Sequence, residues 1–167
     1  MIKKHLETPN GNFPKTRCHL KMAHLIDLDN LTQGQILDSS EMYHLAQSYI
    51  ETSSYSVGDI SAIACSHHTF SPNVFNWPIS GQRFVKSGKD GADFILTENV
   101  DGLLRAQGLR RVVLASGDHY FVPTVAYIQS RGIPVHVVAP EGGLSKRLRM
   151  AADSYSYIPT INHKVAA

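Results

Sequence analysis

Cysteine is scarce in this chain of 167 residues, which has only Cys18 and Cys65. The two stand far apart and match no zinc-ligand spacing, so two reduced thiols are expected rather than a disulfide framework or a structural zinc site. Long apolar runs are missing too. No window approaches the ~20 apolar residues that span a bilayer, and no apolar stretch follows Lys3 and Lys4 to make a signal peptide. A soluble, cytoplasmic protein with no membrane partner is expected. Nor is there a large excess of either charge, with 16 Lys and Arg against 14 Asp and Glu. No global basic field announces nucleic acid, so any such footprint must be local. Internal repeats and low-complexity tracts are absent as well. What remains is a chain of single-domain size, long enough to bury a core without metal or disulfide staples.

Residues 1–19, with Pro9, Gly11 and Pro14 among polar residues, read as an extended or disordered arm. The domain is expected over 20–160 and a tail over 161–167. Ala23 to Ile26 predicts a first strand. Ser39 and Ser40 ahead of Glu41, then Met42, Leu45, Ala46, Tyr49 and Ile50 at helical spacing, predict a first helix. Ile60 to Ala64 and Arg83 to Lys86 predict two short strands, separated by an irregular or broken-helical segment from Ser66 to Pro78. Beyond Lys89 the pattern sharpens into helix (90–107), strand (111–115), helix (121–131), strand (133–138), helix (144–151) and a short apolar segment, Tyr155 to Ile158. Gly108 and Gly132 stand where left-handed caps should stop two helices. Alternating strands and helices predict an α/β fold with a doubly wound parallel sheet, because parallel neighbours need crossover connections.

Two of the predicted strands end in acid. Ala23-His24-Leu25-Ile26 gives way to Asp27-Leu28-Asp29-Asn30, and the apolar run to Ala115 gives way to Ser116-Gly117-Asp118. In an open parallel sheet such junctions lie outside the carboxyl ends of the strands, where α/β proteins build their sites. A third acid comes from helix 90–107. At 100° per residue Asp93 shares a stripe with Leu96, Val100, Leu103 and Leu104, the stripe that packs on the sheet. Glu98 and Asp101 fall well round the helix, in solvent. A carboxylate on the packed stripe is costly without a partner, and the first turn of a helix that follows a parallel strand is at the same end as Asp27 and Asp118. Three carboxylates in one crevice repel one another, and the usual remedy is a hard divalent cation bound by oxygen, Mg²⁺ or Mn²⁺.

Each acid also has a plainer reading as a cap or turn former. Asn30 either orients Asp27 and its loop or makes a simple Asx turn. Ser116 either donates toward a phosphate or a water, or is small for packing. His119, beside Asp118, either meets phosphate and shuttles a proton or faces solvent at the start of a helix. Tyr120 reads as a core residue, with a base-stacking platform as the alternative. His67-His68 reads as an exposed loop pair, because adjacent residues point apart and no further ligand stands at zinc spacing. Asp27-Leu28-Asp29-Asn30-Leu31 only partly imitates the nucleophile motif of haloacid-dehalogenase-like phosphatases, with Leu31 where Thr or Val belongs.

Four segments in order, Leu25 to Asn30, Lys89 to Asp93, Ser116 to Pro123 and Leu144 to Asp153, resemble the NYN domains of the PIN-like group of metal-dependent ribonucleases. The resemblance covers most of residues 22–158. It implies a three-layer α/β/α sandwich with strand order 3-2-1-4-5, which makes the Asp27 and Asp118 strands neighbours. It further implies a Mg²⁺- or Mn²⁺-dependent endoribonuclease in which Asp27, Asp93 and Asp118 hold the metal and water attacks an RNA phosphodiester. The basic face of 144–153, with Lys146, Arg147 and Arg149, would then track RNA phosphates, as would Lys86 and Lys89. Two positions depart from the family pattern: Tyr120 stands where a second acid is usual, and Asn99 where many members carry another. One metal site is therefore expected, with Asp29 or a substrate phosphate at hand to complete a second. The rival reading is a degenerate domain that binds RNA or a protein partner. A homo-oligomer is left open.

Overall fold

The computed structural model describes residues 21–69, 73–88 and 90–160. The arm, the tail, Cys18 and Lys89 lie outside the described residues. Six parallel strands form one sheet in the order β3-β2-β1-β4-β5-β6: β1 (Lys21–Asp27), β2 (Ile60–Cys65), β3 (Gln82–Val85), β4 (Leu109–Ala115), β5 (Val135–Pro140) and β6 (Ser154–Ile158). Among the described residues five helices accompany them: α1 (Leu28–Leu31), α2 (Ser39–Ser53), α3 (Gly91–Leu104), α4 (Val122–Ser130) and α5 (Lys146–Ala151). The first five strands stand in the expected order. The apolar segment at 155–158 turns out to be a sixth, paired with β5 through Val137↔Tyr155 and Pro140↔Ile158.

Alternate residues of the central strands feed two cores. Met22, Ile26, Ile63 and Val113 join α1 and α2 on one face, with Leu45, Tyr49 and Trp77. Leu25, Ala62, Val112 and Leu114 join α3, α4 and α5 on the other, with Leu96, Phe121 and Leu148. Because both faces of the sheet are covered, β1 is buried from Met22 to Asp27 and reads as a near-continuous apolar run. The three layers follow from that pattern.

Helix α2 is capped one residue before the two serines. Asp38 is its cap: Asp38 Oδ1 accepts from Glu41 N at 2.8 Å and Asp38 N donates to Glu41 Oε2 at 3.0 Å, a reciprocal box that satisfies two orphan donors. Gly108 and Gly132 take φ of 75° and 76°, the left-handed conformation expected of them. The 66–78 segment is irregular, with a helical turn at 73–76. From β1 the chain crosses to β2, and β4 returns on the opposite side of β1, so the strand order reverses between β1 and β4. Outside the carboxyl ends of those two strands the crossovers part and leave a crevice. Among the described residues no helix is long and apolar enough to cross a membrane.

Candidate active site

The register Ile26↔Ala115 puts the ends of β1 and β4 side by side, and the residues that follow lock them together. Asp27 is 3% exposed. Its Oδ1 accepts from Asn30 N at 3.1 Å and its Oδ2 accepts from the Ser116 hydroxyl at 3.1 Å. Ser116 Oγ in turn accepts from Asp118 N at 3.2 Å, and Asn30 Oδ1 accepts from Gly117 N at 2.8 Å. Gly117 has to be glycine for steric reasons. A Cβ there would lie 2.1 Å from the carbonyl oxygen of Gly143, because the loop after β5 presses in to donate Ser145 N to Gly117 O at 2.9 Å. Asn30 and Ser116 therefore hold Asp27 and the Asp118 loop in register.

Asp93 enters from the first turn of α3 and is buried on the sheet side with Leu96, Val100 and Leu103, as the stripe predicts; Glu98 and Asp101 are exposed. The helix approaches closely because Gly91 leaves room, a Cβ there falling 2.3 Å from Lys86 O. Asp90 precedes it at φ 57° and makes no capping hydrogen bond with its side chain. Asp29 fixes the far wall, its carboxylate accepting from Ser66 N at 2.6 Å and from the Thr69 hydroxyl. Asp118 is half-buried; its Oδ1 accepts from Tyr120 N at 2.9 Å and lies 3.0 Å from His119 Nδ1.

The result is an open crevice of about 240 Å³ lined by Asp27, Asp29, Asp90, Asp93 and Asp118 together with Asn30 and Ser66. Burial, and next the charge of Asp93, push the Asp27 carboxyl well above the usual carboxylate range. Burial likewise raises Asp93, with Asp118, Asp90 and Asp29 adding to it, while a hydrogen bond from Asp27 works the other way. Ionisation of both carboxyls is thus disfavoured, as for like charges brought together out of water. Cys65, at the end of β2, is a buried thiol that burial pushes up to about 12, helped by Asp29, so it offers no thiolate.

Among the described residues no three Asp, Glu, His or Cys side chains close into one coordination shell. The donor set is nonetheless that of a hard cation: carboxylate and amide oxygens with no soft ligand. Such an ion, Mg²⁺ above all, commonly takes one or two carboxylates directly and keeps waters for the remainder of its sphere. The residues fit that pattern.

Asp27, Asp93 and Asp118 therefore meet in one crevice, with Asp29 beside them and Asn30 and Ser116 behind them. His119 is exposed at the rim. Lys86 Nζ sits 3.2 Å from the centroid of the Phe94 ring and 3.9 Å from Glu98 Oε2. Lys146, Arg147 and Arg149 are exposed on α5. Asn99 turns back onto its own helix, donating Nδ2 to Ile95 O at 2.8 Å. Asp90 was not assigned a role from the sequence; the signal was an acid three positions before Asp93 with a glycine between, at a helix start. Tyr120 corrects an expectation: it is 36% exposed rather than core, because the 3-10 turn His119–Phe121 gives the buried direction to Phe121.

The NYN domain model matches residues 21–159. The chain belongs to the NYN domain family. The NYN family belongs to the PIN-like nuclease superfamily, and the carboxylate crevice of this chain stands where its sheet reverses its strand order. The crystal structure of a protein of unknown function from Vibrio parahaemolyticus has the same fold, with a TM-score of 0.55 and 22% identity over 83% of this chain and 92% of that one. No curated protein matches this NYN domain.

Proposed function

We propose that this NYN domain is a Mg²⁺- or Mn²⁺-dependent endoribonuclease. The observation that carries the reading is the convergence of Asp27, Asp93 and Asp118 from β1, α3 and the loop after β4 on one crevice, with Asp27 buried and braced by Asn30 and Ser116. Burying a carboxylate among four others is unfavourable unless a cation is to be held there. Asp27, Asp93 and Asp118 would hold it, with Asp29 and Asp90 on the walls. When bound, the ion supplies a water of lowered pKa and neutralises charge at the scissile phosphate.

The chain's own residues do the rest. Asn30 and Ser116 keep Asp27 from turning, so the cluster costs no reorganisation during reaction. His119 is exposed beside Asp118, where it can meet a phosphate oxygen or take up a proton. Lys146, Arg147 and Arg149, with Lys86 on the opposite rim, position the RNA backbone without reading bases. Water attacks phosphorus in line with the departing 3′ oxygen, leaving a 5′-phosphate. No covalent nucleophile is required. A cytoplasmic setting belongs to the same proposal.

Incubation of the protein with labelled RNA and millimolar Mn²⁺ tests it. Cleavage by the wild type that falls by two orders of magnitude or more in Asp118→Asn supports the nuclease. RNA binding with no cleavage by either would favour the degenerate-domain reading instead.

A further inference from the structure

Tyr120 is a tyrosine displayed rather than packed. Its backbone is fixed by the hydrogen bond from its N–H to Asp118 Oδ1 at 2.9 Å. Its ring stands at 80° to that of the fully buried Phe121, centroids 5.9 Å apart. Tyr120 is 36% exposed above a fixed backbone, two residues from a crevice carboxylate. A tyrosine held this way gives flat contact area with little conformational entropy to lose.

Two neighbouring observations give this ring a ligand. The basic helix α5 packs against the 3-10 turn that carries Tyr120, placing Arg147 and its exposed basic neighbours on the same flank. On the opposite flank Phe94, the residue after Asp93, is 39% exposed with Lys86 Nζ 3.2 Å from its centroid. Both rims of the acidic crevice thus pair an exposed aromatic ring with cations. That is the combination that binds unpaired nucleotides, where rings stack on bases and cations follow phosphates. In a duplex each base already stacks on its neighbours, and proteins reach it through phosphate and 2′-hydroxyl contacts instead.

We propose that Tyr120 stacks an unpaired base of the RNA next to the phosphate held in the crevice, so that the site takes single-stranded RNA in preference to duplex. The inference rests on the reading of the crevice as an RNA site and adds the class of RNA and the residue that selects it.

The test uses a ten-nucleotide fluorescein-labelled RNA, bound in Ca²⁺ buffer and read by anisotropy, in which a single abasic position is moved along the strand. The wild type should lose about 5- to 100-fold in affinity when the abasic position reaches one register, the range of one stacked base. Tyr120→Ala should show that loss for every oligonucleotide and no dependence on register. Tyr120→Trp should restore the register dependence, which a merely structural role would not do. The wild type should also bind the single strand more tightly than a blunt duplex of the same sequence. Equal affinity for every abasic register, or a register dependence that persists in Tyr120→Ala, overturns the stacking role and leaves the nuclease reading intact. Absence of RNA binding altogether overturns both, whereas register-dependent binding without Mn²⁺-dependent cleavage supports Tyr120 and removes only the nuclease.

Discussion

Asn30 accepts a hydrogen bond from Gly117 N at 2.8 Å across the gap between β1 and β4. Its own N–H is donated to Asp27 Oδ1 at 3.1 Å, so one residue ties the loop after β4 to the buried carboxylate at the end of β1. The relative placement of Asp27 and Asp118 depends on that tie, and on Ser116 beside it.

Asn30→Ala should therefore destabilise the domain by about 1–3 kcal/mol, the penalty for leaving a part-buried N–H unpaired. The same substitution should lower Mn²⁺-dependent cleavage while leaving the far-ultraviolet circular dichroism spectrum intact. Denaturant unfolding and initial rates measured side by side check this. An unchanged rate in a destabilised variant would mean that the tie serves the fold alone.

The acid cluster predicts a particular pH dependence. Asp27 and Asp93 both have carboxyl groups raised above the ordinary value, chiefly by burial, with the charge of Asp93 adding at Asp27 and those of Asp118, Asp90 and Asp29 adding at Asp93. Their contribution to stability in the absence of metal is complete below the unfolded carboxylate pKa near ~4 and is lost as pH rises through the raised folded values. Metal-free protein should accordingly lose stability at this site as pH rises toward neutral, and Mn²⁺ should raise the thermal midpoint at pH 7 by mass action but not at pH 4. Asp27→Asn should remove most of the Mn²⁺ response while raising the metal-free midpoint at pH 7. Thermal melts at the two pH values, with and without millimolar Mn²⁺, provide the comparison.

His24, in the middle of β1, acts in the opposite sense. It is fully buried, with Nδ1 2.7 Å from the Tyr49 hydroxyl and Nε2 3.4 Å from Asp59 Oδ2, and burial drives its pKa from 6.5 to about 4 against the pull of Asp59. The unfolded chain therefore binds the proton first. Stability should fall as pH drops from 6.5 toward 4, by on the order of 3 kcal/mol for a shift of this size at ~1.4 kcal/mol per unit. In His24→Asn that part of the acid loss should disappear, which urea titrations at pH 7, 5.5 and 4.5 would reveal.

Much of this arrangement was legible in the residues themselves. Asp27 and Asp118 could be placed because a buried parallel strand is an apolar run, and the first polar residues after it must lie at its carboxyl end. Asp93 could be placed because helical periodicity fixes which face a residue shares with Leu96 and Val100. Asp90 and Tyr120 were harder, because each sits in a turn at a helix start, where the orientation of a side chain is set by local backbone angles rather than by a period. The sixth strand was hard for a related reason: Ser154–Ile158 lies at the sheet edge with both tyrosines exposed, so it lacks the two-sided burial that marks its neighbours. His24 looked like any strand residue, since its partners Tyr49 and Asp59 lie 25 and 35 residues away.

The most direct measurement is the cleavage of a 3′-labelled single-stranded RNA by the wild type, Asp27→Asn and Asp93→Asn, in Mn²⁺ and in EDTA, with the product ends identified. Cleavage should occur only with Mn²⁺, leave 5′-phosphates, and fall at least about a hundredfold in both variants, since each removes an anion from a pre-built electrostatic site. Cleavage that persists in EDTA, or that survives in both variants, would contradict an active site built on the carboxylate crevice.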